Sequence, residues 1–128
     1  MQLLIVEDHP KDLQIATSAA QASGFSVIDA CSSASMAKQF LEKALRGEQS
    51  LPNVIVLDLD LGYESGFELL RFWHSTPQLA EVPLVIWTIL GDQYRDICRM
   101  FKVRAYVYKG EGVSGLRQVL SGLSGVAA

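Results

Sequence analysis

Five short apolar runs alternate with five longer segments of helical periodicity, and no other feature of the chain restricts its fold as strongly. The runs are residues 3–6, 25–28, 54–57, 84–87 and 106–108. Each is short, rich in β-branched or aromatic residues, and bounded by turn formers. That is the pattern of a strand buried on both faces in a parallel sheet. The first helical segment spans 10–23, with Pro10 in its first turn and Gly24 just past its end. The second spans 34–46, with Met36, Phe40, Leu41, Ala44 and Leu45 on one face. The others span 66–75, 92–101 and 113–123.

Strands alternating with helices predict an α/β fold. It contains five βα units in a doubly wound, five-stranded parallel sheet with helices on both sides. Right-handed crossovers then place every strand's C-terminal end at one edge. Ligands of such sheets bind at that edge, near the point where strand order reverses.

The 128 residues fit one domain, expected over 1–123, and 124–128 form a short tail of small residues. A composition 49% hydrophobic and 20% charged supplies enough apolar surface to offset chain entropy. The net charge of −3 argues against direct nucleic-acid binding, which needs a basic face. No apolar run approaches the ~20 residues that span a bilayer. The start MQLLIVEDHP lacks the basic and small-residue elements of a signal peptide. Cys31 and Cys98 are too few for a disulfide framework and read as reduced core residues. Together these features predict a cytoplasmic chain without membrane contact.

The strand ends carry the chemistry. The first run ends in Glu7-Asp8, the third in Asp58 with Asp60 two residues on, the fourth in Thr88 and the fifth in Lys109. Taken alone, an Asp after a strand is a turn former or helix cap and a terminal Lys is solvated surface. All of them at one edge of one sheet make a different object. Clustered carboxylates repel one another unless a cation sits between them. An all-oxygen set suits a hard ion such as Mg²⁺. A lysine and a hydroxyl beside it can receive a phosphoryl group, and one carboxylate can act as nucleophile to give an aspartyl phosphate.

In the stretches LLIVEDHP, VIVLDLDLGYESGFELL, PLVIWTILGD and AYVYKG, the sequence resembles the receiver domain of bacterial two-component response regulators, the chemotaxis-protein-like family. The resemblance implies a flavodoxin-like fold with strand order 2-1-3-4-5. It implies that Asp58 accepts a phosphoryl group from a sensor histidine kinase or phosphotransfer protein. It places Mg²⁺ on Asp8, on Asp58, on the backbone carbonyl of Asp60 and, through water, on Glu7. Thr88 would bind a phosphoryl oxygen and Lys109 would pair with the phosphoryl group. Thr88 and the aromatic Tyr106 would form a switch that remodels the face of helix 4, strand 5 and helix 5. That face is the expected homodimer interface. A downstream protein, or an output domain C-terminal to this chain, would receive the signal. Such a module is a self-phosphorylating and self-dephosphorylating switch rather than a turnover enzyme.

The sequence departs from the family at Gly110, where proline usually follows the lysine, and at Ile89, where a small residue usually follows the threonine. Two other readings stand beside the receiver. Asp58-Leu59-Asp60 resembles the nucleophile motif of haloacid-dehalogenase-type phosphatases. In that family the acidic pair follows the lysine, whereas Glu7-Asp8 precedes everything here. A degenerate receiver that binds a partner without phosphorylation is the third. Trp73 and Trp87 read as core residues, and His9 as a solvated or helix-capping side chain.

Overall fold

The computed structural model describes residues 1–62 and 64–124. The apolar runs become strands β1 (Gln2–Val6), β2 (Val27–Cys31), β3 (Val54–Leu57), β4 (Leu84–Thr88) and β5 (Ala105–Tyr108). They form one parallel sheet in the order β2-β1-β3-β4-β5, which is the expected 2-1-3-4-5 arrangement. The helices are α1 (Pro10–Ala22), α2 (Ala34–Leu45), α3 (Gly66–Ser75), α4 (Arg95–Met100) and α5 (Ser114–Leu123).

Period-2 alternation splits the central strands between two cores. Leu3, Ile5, Val54, Val56, Val85 and Trp87 face α1 and α5, where Ala16, Ala19, Leu116 and Leu120 close over them. Leu4, Val6, Ile55, Leu57, Leu84 and Ile86 face α2, α3 and α4, against Leu41, Leu70, Trp73 and Cys98. Burial of both faces explains why β1, β3 and β4 read as unbroken apolar runs. Trp73 packs as a core residue, and its indole N–H donates to the Val82 carbonyl at 2.9 Å. Both cysteines are free and buried.

Helix ends follow the local sequence. Pro10 occupies the first turn of α1. Ser33 and Ser65 cap α2 and α3 by accepting from the Met36 and Phe67 amides, each at 3.1 Å.

Several boundaries differ from the sequence expectation. The second strand runs over Val27–Cys31, not 25–28. Phe25 is instead buried against the α1 and α5 side, and its amide donates to the Ala20 carbonyl to close α1. The strands β2 and β5 lie at the sheet edges and are half-exposed rather than buried on both faces. The segment 92–101 divides into a 3-10 turn, Asp92–Tyr94, and α4. A two-residue hairpin, Asp60–Leu61 with Glu64–Ser65, and a helical turn, Pro77–Ala80, were not expected. Ser124 follows α5 and is buried, its hydroxyl donating to the Ser121 carbonyl at 3.0 Å. Residues 125–128 of the expected tail lie outside the described residues.

Candidate functional site

Parallel strands deliver Glu7-Asp8, Asp58, Thr88 and Lys109 to the same edge of the sheet. The backbone seats the third strand's end directly against the first: the Asp58 amide donates to the Val6 carbonyl at 3.1 Å. The Asp60 amide then turns back and donates to Asp58 Oδ1 at 3.0 Å. Gly62 takes a φ of +70° next to Asp8, a conformation that glycine adopts without strain.

Lys109 is the centre of the arrangement. Its ammonium donates to Glu7 Oε1 at 2.5 Å, to Asp12 Oδ2 at 2.9 Å and to Asp58 Oδ2 at 3.0 Å. The Trp87 ring centroid lies 4.7 Å from the same nitrogen. Thr88 and Asp58 are buried, and the Lys109 side chain is only 7% exposed, so these charges act in a medium poorer than water in screening. Burial pushes the Glu7 carboxyl up to about 7, and the charge of Asp58 adds to the push while Lys109 opposes it. Burial pulls the Lys109 ammonium down, but its bonds to Glu7 and Asp12 and the charge of Asp58 outweigh that and hold it above its ordinary value.

One carboxylate oxygen each from Glu7, Asp8 and Asp58 falls within 4.8 Å of the others. Such an all-oxygen set fits a hard divalent cation, whose charge would relieve the crowding of three carboxylates. Asp8, Asp58, Asp60 and Lys109 line one cleft of about 180 Å³, with Ile89 and His9 on its wall. Ile89 is 57% exposed there. The orientation of the Thr88 hydroxyl is set by the Leu90 amide, which donates to Oγ1 at 3.2 Å. That bond uses a lone pair of the hydroxyl and not its proton, which a hydroxyl can also donate.

Of the residues singled out from the sequence, the structure brings together Glu7, Asp8, Asp58, Asp60, Thr88 and Lys109. Tyr106 stands apart, outside the cleft. Its hydroxyl reaches the Leu90 and Gly91 carbonyls at 2.8 and 2.9 Å, and Arg95 lies 5.0 Å over its ring. Residues 89–91 are thus tied to Thr88 at one end and to Tyr106 at the other. Asp12 escaped the sequence reading. It lies on the first turn of α1, one turn beyond the acidic pair, and that spacing after a strand end is the signal that would have found it.

Residues 3–121 match the family model of the response regulator receiver domain. No curated protein gave a match. Among solved structures, the bacteriophytochrome response regulator RtBRR is 28% identical, with a TM-score of 0.77 over 99% of this chain and 79% of that one. The phosphorylated cyanobacterial phytochrome response regulator RcpA is 24% identical, with a TM-score of 0.80 over 95% and 89%. The response regulator TrrA from Thermotoga maritima, in complex with Mg²⁺ and BeF, is 19% identical, with a TM-score of 0.76 over 95% and 97%.

Proposed function

This chain belongs to the response regulator receiver domain family, and on that premise we propose that Asp58 is its phosphoacceptor and that residues 1–123 act as one phosphorylation-driven switch. The observation that carries the reading is the Lys109 ammonium 3.0 Å from Asp58, inside a three-carboxylate cluster at the C-terminal sheet edge. Glu7, Asp8 and Asp58 are the residues that would hold a divalent ion, Mg²⁺ by the chemistry of their oxygens, with the Asp60 carbonyl as a further donor. When bound, that ion supplies positive charge to the oxygens of an incoming phosphoryl group.

The chain's own residues do the rest. An Asp58 oxygen forms the bond to phosphorus as the P–N bond of a protonated phosphohistidine breaks. The electron pair returns to the ring, which leaves as neutral imidazole. Lys109 offers its charge to the transferred oxygens, and the Thr88 hydroxyl donates to one of them. Hydrolysis reverses the state: a water oxygen attacks phosphorus and the Asp58 carboxylate departs.

A path for the signal follows from the hydrogen bonds. If Thr88 turns toward a phosphoryl oxygen, the Leu90 amide loses its acceptor. Residues 89–91 then shift under Tyr106, which holds them by its hydroxyl. A local charge change thereby biases the α4–β5 face. The partners on this reading are a histidine kinase or phosphotransfer protein upstream, and downstream a protein target, an output domain or a second copy docked through α4, β5 and α5. Cytoplasmic placement is part of the proposal, supported by two unpaired buried thiols. Among the described residues, no helix is long and apolar enough to cross a membrane.

Incubation with acetyl phosphate and Mg²⁺, read by intact mass, tests the reading. One labile phosphoryl adduct is expected in the native chain and none in Asp58→Asn. Steady turnover of an aryl phosphate without a stable adduct would favour the phosphatase reading. An inert chain would favour a receiver that works without phosphorylation.

A further inference from the structure

An ammonium has three N–H bonds in tetrahedral directions, and in Lys109 all three end on carboxylates, those of Glu7, Asp12 and Asp58. The long lysine stem does not itself aim the head group, because it turns about several single bonds. Its acceptors aim it. Two of them, Glu7 and Asp58, belong to the cluster that would hold a cation, so their surroundings change whenever an ion or a phosphoryl group arrives. Asp12 lies outside that cluster.

Asp12 also stands on the firmest support. It occupies the first turn of α1, where Pro10 fixes the backbone and Ala16, Ala19 and Ala20 pack the helix on the sheet. Its side chain is 27% exposed on the rim of the cleft, with His9 Nδ1 3.7 Å from the same oxygen that Lys109 uses. Fixing two N–H directions of a tetrahedral ammonium fixes the third. Resting on the phosphoacceptor reading above, we propose that Asp12 is a positioning residue: its carboxylate ties the Lys109 ammonium to α1 and keeps one N–H aimed at the reacting oxygen of Asp58. α1 is thereby part of the phosphorylation apparatus through a side chain that touches neither phosphorus nor metal.

Three forms of the full chain test this, with acetyl phosphate as the donor: native, Asp12→Ala and Asp12→Asn. Asparagine keeps an oxygen acceptor at the same reach but carries no charge. The saturating phosphorylation rate of Asp12→Ala is expected to fall by about ten- to a hundredfold, up to the scale of a misplaced catalytic group. The half-saturating donor concentration and the Mg²⁺ response of tryptophan emission should not move. Asp12→Asn should keep most of the native rate. Should the alanine variant not fold, Asp12→Ser, too short to reach Lys109 and at home in a first turn, takes its place. An unchanged or faster rate in Asp12→Ala overturns the proposal. So does an asparagine variant as slow as the alanine one, which would mean that charge and not direction is at work. A loss of Mg²⁺ response that matches the loss of rate overturns it as well. A native chain that takes no phosphoryl group at all sinks the phosphoacceptor reading itself, a result distinct from these.

Discussion

Tyr106 holds a loop by its hydroxyl, and the burial that accompanies this position shows in its ionisation. Burial raises the phenol to about 12, with neighbouring Cys98 adding and Arg95 opposing. The folded state therefore favours the neutral phenol more than the unfolded chain does, whose tyrosines ionise near 10. The resulting stability is complete below pH ~10 and is lost as pH rises through about 12. Alkaline titration at 295 nm should show a late-ionising phenol, and Tyr106→Phe should remove that component. A titration that loses only an ordinary phenol would contradict the burial of Tyr106. At this scale the sequence is informative where a residue ends a strand. It is silent where the role depends on a partner far along the chain. Glu7, Asp58, Thr88 and Lys109 stand out because each ends an apolar run. Asp12 does not, because only the fold brings it to a lysine 97 positions away.

At the scale of elements, α3 is locked to the phosphoacceptor through a glycine. A Cβ on Gly66 would sit 2.5 Å from the Asp58 carbonyl oxygen and 2.7 Å from the Leu59 Cα, and backbone cannot swing aside as a side chain can. Gly66→Ala should cost about 1–3 kcal/mol in urea unfolding, the scale of an overpacked core, and should slow phosphorylation by moving Asp58. Gly122, in α5 with nothing within 4 Å of its Cβ direction, is the control. Gly122→Ala should stabilise by about 0.5–1 kcal/mol through helix propensity alone. Equal effects at the two sites would refute the close approach of α3. The elements that periodicity placed well are those with two buried faces or a strong apolar stripe: β1, β3, β4, α2 and α3. It misplaced β2 because an edge strand exposes Val27 and admits Asp29, while the buried Phe25 before it belongs to the closure of α1. The short hairpin after Asp60 carries no apolar run of its own, so nothing in the pattern announced it.

For the whole molecule, alternation alone argues for a parallel doubly wound sheet. It does not give the strand order. That order came from the resemblance, and the structure agrees with it. The order matters to function because it sets β1 between β2 and β3 and turns α1 to the opposite face from α2 and α3. The acidic pair therefore opens onto the reversal point, with Asp58 and Lys109 beside it. A chain of net charge −3 thereby gathers Glu7, Asp8, Asp58 and Asp60 at one edge, against a single buried ammonium. The most direct test of the account locates the modified atom. The chain would be treated with acetyl phosphate and Mg²⁺, then with sodium borohydride, which reduces an aspartyl phosphate to homoserine, and sequenced by tandem mass spectrometry. Homoserine is expected at position 58 alone, and none when Mg²⁺ is chelated. Homoserine at another acidic position, or an Asp58 left intact in a chain that carries phosphate, would contradict it.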